Sequence, residues 1–313
     1  MKKTKIVLSL IALSVLLTSS PGAQQTQRGD RSLVGTFTLV SVEQQIDSGK
    51  PSGVQGVRGL LVFDAGGHVF EIVTRTNLQP GEGMTEAQAR FHSTWGSWGA
   101  YRADAREGRI AYEPLGAISP NVMGSRFSRT FEWTGDRLAV TSLPGEPNTR
   151  GVTRWTWERV PTVDNLSEGY RSVVGFWQHV VEKRVNASTG AVLSESRRAP
   201  SVIVYTPSGF VGVHFPTLDR PRLAGTEPTD EEARAVGGYL GYFGALGVYP
   251  GMVFHNILGG GGVNAGSILK RFYELKGDEL TVRFPPNLTR EGQPVTTLVT
   301  LKRLSGARDM LGP

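Results

Sequence analysis

The chain of 313 residues contains no cysteine. Disulfide frameworks, zinc–thiolate centres and thiol nucleophiles are therefore excluded, and stability has to come from packed cores. Histidine is scarce as well, at five residues: His68, His92, His179, His214 and His255. None stands in a His-x-His or His-Glu-x-x-His spacing, so neither a metal nor any other cofactor is expected. Basic residues run no longer than pairs such as Arg197-Arg198, whereas nucleic-acid binders cluster them along a face, so no nucleic-acid partner is expected. There is no Gly-x-Ser-x-Gly nucleophile elbow. The run Gly259-Gly-Gly-Gly262 lacks the lysine of a phosphate-binding loop and aligns with Gly116-Ala-Ile-Ser119, so it reads as a flexible strand connection.

What is present begins with an export pattern. Met1-Lys-Lys-Thr-Lys5 precedes an apolar run from Ile6 to Leu17 and then Thr18-Ser-Ser-Pro-Gly-Ala23, the charged, apolar and small-residue regions of a secretory signal. The apolar run is about 12 residues, short of the roughly 18 that a membrane anchor needs. The expectation is a signal peptide over 1–24, with cleavage between Ala23 and Gln25. The product would be periplasmic or extracellular, with no stable membrane anchor once the signal is cut. Lys2, Lys3 and Lys5 account for three of the six net positive charges, so +3 remains after cleavage.

The rest of the chain says the same thing twice. Ser32-Leu-Val-Gly-Thr-Phe37 returns about 140 residues later as Ser172-Val-Val-Gly-Phe-Trp177. Leu60-Leu-Val-Phe-Asp-Ala-Gly-Gly-His-Val-Phe70 returns as Val202-Ile-Val-Tyr-Thr-Pro-Ser-Gly-Phe-Val-Gly212, and Phe131-Glu-Trp-Thr-Gly-Asp-Arg-Leu-Ala-Val140 as Tyr273-Glu-Leu-Lys-Gly-Asp-Glu-Leu-Thr-Val282. A period of that length is the size of an independent domain rather than of a solenoid repeat. The expected units are 32–160 and 172–304, joined by a linker over 161–171 and followed by a loose tail over 305–313.

Within each unit, short β-branched and aromatic segments alternate with Gly, Asn, Asp and Pro turns, the pattern of a closed or sandwiched antiparallel sheet. Asp64-Ala-Gly-Gly67 and Thr206-Pro-Ser-Gly209 read as hairpin turns. One helix per unit is expected after the capping boxes Thr85-Glu-Ala-Gln88 and Thr229-Asp-Glu-Glu232. Helical spacing then runs on through Ala89, His92, Trp95 and Trp98 in the first copy, and through Ala233, Val236, Tyr239, Leu240 and Phe243 in the second. On this reading the helix covers an open end or a flank of the sheet, with these aromatics and Tyr242 packed between them.

Gly175-Phe-Trp177 on the first strand of the second unit, with Arg303 on its last, resembles the Gly-x-Trp signature of the lipocalins. The resemblance implies a tryptophan plugging one end of a barrel beneath a basic side chain. Gly35-Thr-Phe37 with Arg159 is the corresponding set in the first unit, with Phe for Trp. The order of Tyr205-Thr-Pro-Ser-Gly209, Met252-Val-Phe-His255, Arg271-Phe-Tyr-Glu-Leu275 and Gly277-Asp-Glu-Leu280 is similar to the bacterial lipocalin-like domain family. The fold implied is all-β: two tandem lipocalin-like antiparallel β-barrels, each with one short helix.

Such a fold implies a binding protein for a small apolar or amphipathic molecule, since an eight-stranded barrel holds one small guest where its core side chains leave room. Two other readings stay open: a cyclase or isomerase that shapes a reactive substrate in the cavity, and a scaffold whose barrels are filled by their own side chains. The expected cavity is in the second barrel, with Tyr205, His214, His255 and Arg271 as ligand-binding candidates. Strand alternation puts Val253, His255 and Ile257 on one face, which makes His255 a polar group in apolar surroundings that requires a partner. Its counterpart in the first unit is Tyr112, Arg271 is matched by Arg129, and His214 by Ile72. Arg271 suits an anionic head group, an ion pair or a solvated position. Asp219-Arg-Pro-Arg222 reads as a solvated loop.

Overall fold

The computed structural model describes residues 32–306 except 47, 48, 77, 148, 150 and 226; the expected signal segment 1–24 and most of the expected tail lie outside the described residues. Barrel 1 is built from β1 (Gly35–Gln45), β3 (Val57–Phe63), β4 (His68–Arg75), β5 (Thr94–Asp104), β6 (Arg109–Ala117), β7 (Phe127–Thr134), β8 (Arg137–Ser142) and β9 (Val152–Val160), with the two-residue β2 (Ser52–Gly53) on the edge of β1. Each strand pairs antiparallel with the next, and β1 pairs with β9 to close the sheet. Barrel 2 repeats the plan with β10 (Gly175–Asn186), β12 (Val202–Tyr205), β13 (Phe210–Phe215), β14 (Leu240–Tyr249), β15 (Met252–Gly261), β16 (Ile268–Lys276), β17 (Glu279–Arg283) and β19 (Pro294–Arg303). It closes through β10 and β19, and β11 (Val192–Ser196) and β18 (Asn287–Leu288) are short additions.

The copies agree down to their irregularities. A β-bulge falls between Leu39 and Ser41 opposite β9, and again between His179 and Val181 opposite β19. A second falls between Trp98 and Gly99 on β5, and between Phe243 and Gly244 on β14. Bulges sharpen twist and bend a strand, so shared bulges mean that the same curvature closes both sheets.

Both capping boxes form. Thr85 accepts from the Gln88 amide at the start of α1 (Glu86–His92), and Thr229 does so from Glu232 at the start of α3 (Asp230–Ala235), with the reciprocal side-chain bond present each time. The helices are shorter than their spacing promised. Trp95 and Trp98 belong to β5, and after a single 3-10 turn at Val236–Gly238 the chain enters β14, which carries Leu240, Tyr242 and Phe243. The spacing was coincidental because glycines interrupt it and strand pairing needs them. A Cβ on Gly96 would lie 2.2 Å from the Glu71 carbonyl oxygen, and one on Gly244 2.2 Å from that of Asn256. A further helix, α2 (Glu168–Val173), occupies part of the expected linker and is capped by Ser167.

The barrels share a core. The outer faces of β3, β4 and β5, through Leu60, Val62, Phe70, Ile72 and Trp98, pack on Phe176, Val202, Val204, Tyr239 and Phe243 of barrel 2. Gly212 stands where Phe70 stands in the first copy, and a Cβ there would be 2.5 Å from the Phe70 ring; its missing side chain is the socket. Gly259 is tight in the same way, its Cβ position 2.4 Å from Thr74 Cγ2. The glycine run is therefore packed strand against barrel 1 over Gly259–Gly261, not a flexible connection. Arg220 corrects the solvated-loop reading too, since it is buried and donates to the Ile118 and Ala117 carbonyls at 2.6 Å each.

Candidate functional site

One end of each barrel is sealed in the same way. Trp177 is fully buried, donates from Nε1 to the Val173 carbonyl at 2.7 Å, and lies beneath the Arg303 guanidinium at 4.1 Å. Arg303 in turn donates to the carbonyls of Val174 and Ser172. In barrel 1, Arg159 lies 4.7 Å over Phe37 and donates to the carbonyls of Val34 and Ser32. Glycine precedes both aromatics for a steric reason: with φ at 153° and 134°, a Cβ on Gly35 or Gly175 would come within 2.3 or 2.9 Å of the arginine Nη1. Phe37 is smaller than Trp, and barrel 1 makes up the difference with Trp133. That ring lies 6.1 Å from Phe37 and 5.5 Å from the Arg159 guanidinium, at the position where the repeat has Leu275.

The opposite end of barrel 1 holds a cavity of about 450 Å³. Trp95, Phe127, Trp155, Ile118, Met84 and Phe91 supply apolar wall, and α1 flanks the mouth. At the floor Arg129 is buried between two carboxylates. Its Nη1 donates to Glu71 Oε2 at 2.7 Å, and its Nη2 to Glu146 Oε1 at 2.7 Å. Its guanidinium lies 4.4 Å over Trp155 and 5.0 Å over Tyr112. Burial works against the Arg129 charge, but Glu71 and Glu146 outweigh it and hold its pKa above the ordinary arginine value; burial also pushes the Glu146 carboxyl up. Barrel 2 completes the mouth, because Glu227 lines it and pairs with His92 of α1 at 2.9 Å.

The equivalent interior of barrel 2 is furnished differently. His255 faces inward between two buried tyrosines, with Tyr205 Oη 3.2 Å from its Nε2 and Tyr242 Oη 2.9 Å from its Nδ1. Burial pushes the His255 pKa down to about 3, with Arg271 adding to the effect, and raises those of both tyrosines. A neutral imidazole has one N–H and one lone pair, so one tyrosine donates to the ring and the other accepts from it. Arg271 is half-buried, lies 3.9 Å over Phe284 and donates to the Lys270 carbonyl. Among the described residues no carboxylate pairs with it, because Val213 stands where barrel 1 has Glu71.

Three of the four candidates, Tyr205, His255 and Arg271, therefore come together. His214 does not join them. On β13 the inward positions are Val211, Val213 and Phe215, so His214 points to the sister barrel, where its Nε2 donates to the Glu71 carbonyl at 3.0 Å and burial lowers its pKa to about 3. Glu71 and Glu146 were missed by reading the sequence. The available signal was a lone carboxylate inside the apolar strand His68-Val-Phe-Glu-Ile-Val73 whose counterpart is valine. Among the described residues no group of three His, Asp or Glu side chains is placed to hold a metal.

Residues 34–160 match the family described as lipocalin-like domain. No curated protein matches the chain. Among solved structures it is similar to an uncharacterized protein, YLR301w, from Saccharomyces cerevisiae, at 11% identity and a TM-score of 0.42 over 86% of this chain and 98% of that one. It is also similar to a protein of unknown function from the DUF3598 family of Nostoc punctiforme, at 8% identity and a TM-score of 0.23 over 87% and 96%.

Proposed function

With residues 34–160 matching the lipocalin-like domain family and a second barrel of the same build behind them, we propose that the protein is exported and holds one small amphipathic molecule in the mouth of barrel 1 without transforming it. The observation that carries the reading is the cavity of about 450 Å³ with aromatic walls and a charged floor. That is within the usual range for small-molecule pockets, which are mostly apolar with a few orienting polar groups. The plug at Phe37 and Arg159 closes the far end of that barrel. The sister barrel has a part in it, since Glu227 supplies rim and the shared core holds the mouth in place.

A neutral naphthylamine probe that brightens in apolar surroundings tests the reading. It should bind the native chain and bind at least tenfold more weakly to Val122→Trp, which fills the mouth, while Val181→Trp in the middle of β10 of barrel 2 leaves binding unchanged. Equal binding by all three proteins would remove the cavity from the account. Export is checked separately: the N-terminal sequence of protein recovered outside the cytoplasm should begin between Ala23 and Gln25.

A further inference from the structure

The hydrogen bonds around the cavity are shared unevenly. Glu71, Glu146 and Glu227 face Arg75 and Arg129, and Glu227 is taken up by His92. At the floor two carboxylates share one guanidinium. Glu146 uses both oxygens on Arg129, whereas Glu71 uses Oε2 alone. Among the described residues nothing donates to Glu71 Oε1, although the residue is only 3% exposed and lines the cavity. That oxygen keeps contact with the open cavity, so a guest can reach it. The match for a carboxylate acceptor is a group that brings both an N–H and a positive charge.

We propose that the guest of barrel 1 is a hydrophobic amine, its ammonium donating to Oε1 of Glu71 and its apolar body lying between Trp95, Phe127 and Trp155. The inference rests on the cavity reading above and adds the chemical class of the guest. Barrel 2 is the internal contrast: with valine at the Glu71 position and an arginine that no carboxylate pairs, its interior repels an ammonium.

Displacement of the neutral probe by decylamine, decanol and decanoate, three guests of one chain length, decides the matter. For the native protein the expected order is amine, alcohol, carboxylate, with the amine about tenfold or more ahead of the alcohol, as a hydrogen bond to a charged group gives. In Glu71→Gln, which keeps the shape and the acceptor for Arg129, the amine's advantage should vanish while decanol binds as before. Equal displacement by amine and alcohol, tighter binding of decanoate, or an advantage that survives Glu71→Gln would each overturn the amine assignment while leaving the cavity reading intact. Failure of the probe and all three guests to bind would overturn the cavity reading itself. Should Glu71→Gln not fold, the order measured on the native protein still decides.

Discussion

Barrel 1 and barrel 2 carry the same arginine in the same strand and treat it in opposite ways. Arg129 is enclosed by Glu71 and Glu146 under a cavity, whereas Arg271 rests on Phe284 beside a tyrosine–histidine–tyrosine chain. The sealed ends, by contrast, are nearly alike, as are the bulges and the capping boxes. Closure of an eight-stranded sheet depends on strand number, stagger and curvature together, so the features that set curvature are kept. The interior needs only volume and charge compensation, and each copy has found its own.

The comparison can be broken first at the sealed ends. Trp177→Ala should cost about 3 to 5 kcal/mol in chemical denaturation, because the ring, its Nε1 hydrogen bond and the contact with Arg303 go together. Phe37→Ala should cost less, since Trp133 keeps a ring beneath Arg159. Equal losses would show that Trp133 is no substitute. The arginines come next. Arg129→Met strands two buried carboxylates and should cost about 3 kcal/mol, while Arg271→Met leaves no charge behind and should cost under about 1 kcal/mol. Matching costs would mean that the two environments are equivalent after all.

The smallest difference concerns His255 and its counterpart Tyr112. His255→Leu leaves two tyrosine hydroxyls without their partner and should cost about 1 to 3 kcal/mol at neutral pH. Tyr112→Phe should be close to neutral, because the buried Tyr112 hydroxyl makes no well-aligned hydrogen bond and has only the Arg129 guanidinium near it, which Glu71 and Glu146 already satisfy. The pH dependence sharpens this. The folded pKa of His255, about 3, lies below the unfolded value of about 6.5. Between those values the unfolded chain binds a proton that the folded one refuses. The stabilisation tied to neutral His255 is complete above the unfolded value and is lost at about 1.4 kcal/mol per pH unit as pH falls. The deficit of His255→Leu should therefore shrink steadily below pH 6.5, and a constant deficit would show that the folded histidine takes up a proton as readily as the unfolded one.

Much of this was legible in the residues. The tandem plan, the hairpin turns, both capping boxes and the Gly-x-aromatic pairing with Arg159 and Arg303 were all readable, because each is a short pattern or the recurrence of one. The helices were overdrawn at Trp95, Trp98, Tyr239 and Phe243, where aromatics spaced by three or four satisfied a helical period that the intervening glycines had already handed to strand pairing. His214 was read as a candidate beside His255, and its strand position instead sends it to the sister barrel.

By itself the sequence determined what depends on neighbours along the chain, namely two copies of one unit and where each turns, while the arginine over each sealed-end ring was implied by the family resemblance. Only the tertiary structure decided what depends on residues far apart. Glu71 and Glu146 meet at Arg129 because barrel closure brings β4, β7 and the β8–β9 turn to one point. The cavity of barrel 1 takes part of its mouth, Glu227, from the other copy. Charge compensation and empty volume are properties of the closed, docked barrels, and no local pattern encodes them.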